Sequence, residues 1–173
     1  NIDNKVNLGQ AFLLAIQNKN LKLSKISPNT RDYFGFYRAK FLFEKGNITQ
    51  AKAVFKSIPA KSIYYLRSIF YLGVIAHIQG KNRSAVEYFF ETIAKAGGHR
   101  NLVEQSNLNI ARIYYAEKMF EKSIEYYAKI PRNSENWLTS LLEASWAFLL
   151  LKKANNSLGN IHTLKSPFFS QRF

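Results

Sequence analysis

The side chains able to do chemistry are few and far apart in this sequence. His77, His99 and His162 are scattered, and none has a clustered carboxylate that would make it a base, a relay or a metal ligand. The chain has no cysteine, which removes disulfides and thiolate metal sites. Glu87 and Glu91 stand four apart, as do Glu117 and Glu121. Paired carboxylates can act as acid and base, but at this spacing they are more simply one solvated helix face. Gly97-Gly98 has no preceding strand to turn it into a phosphate cradle, so it reads as a flexible connection. Zinc-protease, P-loop and nucleophile-elbow signatures are absent from the sequence. The expectation is a chain with no catalytic, metal-binding or cofactor-binding residues, and therefore not an enzyme.

The elements that carry these residues repeat. Ala39, Gly73, Ala111 and Ser145 are small residues set in apolar, aromatic surroundings, at steps of 34, 38 and 34. Twelve residues after each comes another small one: Ala51, Ala85, Ser123 and Ser157. Four further on stand Phe55, Phe89, Tyr127 and Ile161, and three beyond those Ile58, Thr92, Ile130 and Leu164. Matching strings SIPAKS and KIPRNS follow at Pro59 and Pro131. Fixed-period self-similarity of this length marks a repeat architecture. Gly73 inside a helix costs about 1 kcal/mol against alanine, which tertiary packing must outweigh. The small residues are expected where the two helices of a repeat cross.

These columns resemble the tetratricopeptide repeat, a helix–turn–helix unit. Leu72-Gly73, Gly80, Ala85 and Phe89 carry the resemblance in residues 66–99. Ile110-Ala111, Tyr114, Tyr115, Ser123, Tyr127 and Pro131 carry it in 104–131. Residues 32–59 match with Arg38 where the family prefers leucine, and 138–167 match more loosely. The resemblance implies one all-α domain, a right-handed superhelix of helix pairs. The expected pairs are 32–45 with 48–58, 62–79 with 82–96, 101–117 with 120–130, and 135–152 with 154–165. Residues 4–26 read as a degenerate leading pair. Gly46 and Gly80 suit a left-handed position after a helix, with Asn47 and Asn82 as caps of the next one. The string at 144–169 is similar to tetratricopeptide proteins of bacterial cell envelopes, which suggests that setting. Asn1 in place of a starting methionine leads to the expectation that the chain is a piece of a longer protein.

In the family, first helices line the concave side. Counting from the small column puts Tyr37, Lys40, Arg67, Tyr71, Asn109 and Arg112 there with an amphipathic or charged tip, and these are the candidate partner-binding residues. Tyr115, Glu143 and Trp146 fall on the same side. A carboxylate clamp of paired Lys and Asn is not expected, because Tyr37, Tyr71 and Glu143 occupy the positions equivalent to Asn109.

Bulk properties agree. At 47% hydrophobic and 15% aromatic, the chain can bury a core, and 8 Gly with 4 Pro argue against a turn-rich β fold. No apolar run approaches the roughly 20 residues of a membrane span. The net charge is +14. Residues 1–86 hold 14 Lys and Arg against 3 Asp and Glu, and residues 87–173 hold 11 against 8. Such a surface attracts acidic partners. The expected function is a scaffold binding an acidic protein or peptide segment with apolar anchors. A basic nucleic-acid-binding repeat protein is the alternative, and an apolar array end is open to self-association.

Overall fold

The computed structural model describes residues 28–166. Eight helices occur among them: α1 Pro28–Glu44, α2 Ile48–Ser57, α3 Tyr65–Ile78, α4 Asn82–Lys95, α5 Arg100–Ala116, α6 Phe120–Ala128, α7 Trp137–Leu150 and α8 Ala154–Leu164. No strand occurs among the described residues, so the fold is all-α, a succession of helix–turn–helix pairs. The leading pair expected at 4–26 lies outside them. The chain packs as two compact units, one reaching Ser68 and the other starting at Ile69, within α3.

All four intra-pair turns are built alike. Gly46, Gly80, Lys118 and Lys152 each take a positive φ, between 59° and 78°. The amide of the following residue then bonds back to a carbonyl of the first helix: Asn47 to Leu42 at 2.8 Å, Lys81 to Ala76 at 2.9 Å, Met119 to Tyr114 at 2.8 Å and Lys153 to Phe148 at 2.9 Å. This six-to-one bond with a left-handed residue satisfies the carbonyls at the helix end. Lysine replaces glycine in the last two turns, and an L side chain there opposes a steric penalty of about 1–2 kcal/mol. The asparagine caps expected next to the glycines do not form. Asn47 makes no side-chain cap bond. Asn82 is already the first residue of α4, and its Oδ1 lies 2.8 Å from His77 Nδ1, linking α3 to α4.

The proline strings form a second recurring turn. Ser62 N donates to Pro59 O at 2.9 Å, and Ser134 N to Pro131 O at 2.8 Å. The serine hydroxyl then accepts from the amide two residues on, at 3.2 Å for Tyr64 and 3.0 Å for Asn136. Because these strings are used up in turns, α3 and α7 start at Tyr65 and Trp137 rather than at 62 and 135. α1 starts earlier than expected, at Pro28, whose fixed φ and missing N–H suit a first helical position. The 38-residue step is absorbed at Gly97 and Gly98, both with positive φ.

In the first unit Phe36, Ala39, Leu42, Ala51, Phe55 and Ile58 form the buried core, with the Phe36 and Phe55 rings 5.8 Å apart. In the second, Ala76, Ala85, Phe89, Ile110 and Ile113 form one cluster. Leu108, Ala111, Tyr127, Ile130 and Ala144 form another, with Trp137 and Phe148 against it. Each large side chain so buried contributes about 1.5–3 kcal/mol. The small columns meet where expected in the last pair, with Ser157 Oγ donating to Ser145 O at 3.0 Å. At Gly73 the neighbour is different. A Cβ there would stand 2.8 Å from Cε1 of Phe89, so the ring of the paired helix occupies the space that glycine leaves.

Candidate partner-binding surface

In the first unit, Tyr37 is half-buried in an aromatic group, its ring 4.6 Å from Tyr33, 5.4 Å from Phe36 and 6.2 Å from Tyr64. Lys40 Nζ lies 3.6 Å from Glu44 Oε1, one turn on. Arg67 is exposed and makes no ion pair with a described acid. Burial raises the Tyr64 phenol above its ordinary pKa, the nearby Tyr37 and Tyr33 phenols add to this, and Arg67 opposes it.

In the second unit, Tyr71 is half-buried, edge-on to Phe70. Asn109 turns its amide onto its own helix, Nδ2 donating to Gln105 O at 2.8 Å. Arg112 makes the most specific contact. Its Nε donates to Glu143 Oε2 at 2.8 Å and its Nη2 to Glu143 Oε1 at 2.6 Å. A fork-to-fork pair of this kind fixes both planes. Tyr127 of α6, buried in the core, lies near the same carboxylate. Its burial, reinforced by the nearby Glu143 charge, holds the phenol well above its ordinary pKa, so it stays neutral. The hydrogen bond to Glu143 raises the Arg112 pKa further, against partial burial.

This triad floors a cavity of about 230 Å³ walled by Tyr115 of α5 and Trp146 of α7. Of the six candidate residues, the cavity gathers only Arg112. Glu143, Tyr115 and Trp146 were groove-facing by count. Tyr127 belongs to the packing column, and only its hydroxyl, where Phe55 and Phe89 have none, hints at a polar role.

A second polar cluster ties the last connection down. Arg100 Nε donates to buried Glu104 at 2.8 Å, Ser134 Oγ to the same carboxylate at 2.5 Å, and Arg100 also reaches Asn133. Among the described residues no group of three His, Asp or Glu could hold a metal, and no helix is long and apolar enough to cross a membrane.

No protein-family model matches the chain, and no curated protein sequence does. Solved structures do. MamA is similar at a TM-score of 0.75 with 15% identity, the match covering 100% of this chain and 98% of that one. Nearly identical TPR-like repeats of a putative kinesin light chain from Podosopora anserina give 0.66 at 19% identity, covering 96% and 86%. PilF of Pseudomonas aeruginosa gives 0.64 at 18%, covering 87% and 68%. At these identities the likeness establishes the fold: a TPR-like array of helix pairs.

Proposed function

We propose that this chain is a non-catalytic interaction scaffold that binds a protein or peptide segment on its first-helix faces and assembles a larger complex. The observation that carries this reading is the recess lined by Arg112, Glu143, Tyr127, Tyr115 and Trp146: a pre-formed hollow on packed helices, with Trp146 exposed. A TPR-like fold supports a protein as the partner. Tyr37, Lys40 and Arg67 in the first unit, and Tyr71, Asn109 and Arg112 in the second, are the proposed contact residues. The basic excess favours an acidic segment, with charge speeding encounter and apolar anchors holding the complex. The resemblance of 144–169 favours a bacterial cell envelope as the setting. Nucleic acid is the weaker reading. The basic residues form no single run along the chain, and many of the aromatic residues pack in the core.

Site-specific photo-crosslinking in native extracts tests this. A crosslinker at Arg67 or Trp146 is expected to capture a discrete protein band, weakened by salt, while one at Lys52 or Lys56 on the second helix α2 is not. Capture from Lys52 and Lys56 alone means the opposite face works. Nuclease-sensitive capture means the partner is nucleic acid.

A further inference from the structure

The recess between α5 and α7 holds more information than its location. Arg112 commits two donors to the two oxygens of Glu143, and Tyr127 lines the recess beside them. A partner carboxylate reaching Arg112 would have to evict Glu143 from a bidentate pair. A partner cation reaching Glu143 would have to evict Arg112. Either exchange leaves one charge of a partly exposed pair without its mate and gives up two charge-assisted hydrogen bonds. A neutral group meets no such penalty. The remaining lining is aromatic: Tyr115, half-buried, and Trp146, 56% exposed and so unusually open for a tryptophan. The volume of about 230 Å³ falls below the roughly 300 Å³ at which drug-sized ligand clefts begin, and suits one large side chain.

We propose that this recess is an anchor site for a single neutral aromatic or branched apolar side chain of the partner segment. The Arg112–Glu143 pair is then its fixed polar wall and not a receptor for a partner acid. The inference rests on the scaffold reading and changes its detail. The acids of the partner are steered by basic residues elsewhere, and the residue that enters here carries no charge.

Titration of the whole chain with small probes tests this without a known partner. The probes are N-acetyl-phenylalaninamide and N-acetyl-tryptophanamide, set against acetate and N-acetyl-lysinamide. The readouts are the NMR signals of the Trp146 indole N–H, assigned with a Trp137→Phe variant, and of Arg112 Nε–H. The neutral aromatic amides are expected to shift both signals saturably, with a Kd of about a millimolar for probes of this size. The charged probes should move neither. Trp146→Ala, at an exposed position, should abolish the response with an unchanged circular dichroism spectrum. Saturable movement of Arg112 Nε–H by acetate would make the site an acid receptor and overturn the proposal, as would no shift with either amide up to its solubility limit. If the amides bind but crosslinking captures no protein, the scaffold reading fails and the anchor site stands.

Discussion

The pairs α5–α6 and α7–α8 carry the same columns and meet different fates. Leu108 is 5% exposed, and Leu142, its equivalent one repeat later, is 46% exposed. Tyr127 and Ile130 are buried, while Ile161 and Leu164 are only half-buried. The difference is α7 itself, which lays Ala144, Trp137 and Phe148 over the α5–α6 columns. No later described helix does the same for α7–α8, and Leu149, Leu150 and Leu158 stay exposed as well. A column therefore supplies an apolar side chain, and the neighbouring pair decides whether it counts as core. Repeat stability is a sum of intrinsic and nearest-neighbour terms, and the two pairs differ in the second.

The comparison can be broken by truncating both columns. Leu108→Ala is expected to cost about 2–5 kcal/mol in denaturant unfolding. Leu142→Ala should cost well under half as much. Equal losses would mean that Leu142 is covered by residues beyond those described. Gly73→Leu forces a side chain into the Phe89 ring, and should cost about 1–3 kcal/mol by the same measurement. An unchanged thermal midpoint would show that the ring can swing away.

The triad adds a pH test. The Tyr127 phenol is held neutral in the fold, above the pKa of about 10 it has in the unfolded chain. The stability it supports is intact below pH 10 and is lost as pH rises above it, because only the unfolded state then releases the proton easily. Tyr127→Phe should flatten the alkaline limb of the stability profile. The smallest effect is a gain. Lys118→Gly relieves a left-handed lysine in a turn where Gly46 and Gly80 do the same job, and should stabilise by about 0.5–1 kcal/mol. The same change made at an ordinary helix end would destabilise.

The sequence alone set the period, the succession of helices and turns, and the apolar columns available to a core. Those follow from local rules: apolar spacing along a helix, glycine at a left-handed turn, proline after a helix end. It also marked Gly73 as a packing position, since only close approach justifies a glycine inside that helix. Tertiary structure alone decided which ring Gly73 makes room for, because that depends on how the two helices are set against each other. It decided that Lys118 and Lys152 take the glycine conformation, since the six-to-one bond and the packed pair outweigh the steric cost. It paired Arg112 with Glu143, 31 residues away, and brought Tyr127 into the lining beside them. Counting along helices put Arg112 on the first-helix face with an open charge. The matching charge came from the neighbouring repeat, and a pairing between repeats is fixed by the distance between helices, which no local pattern encodes.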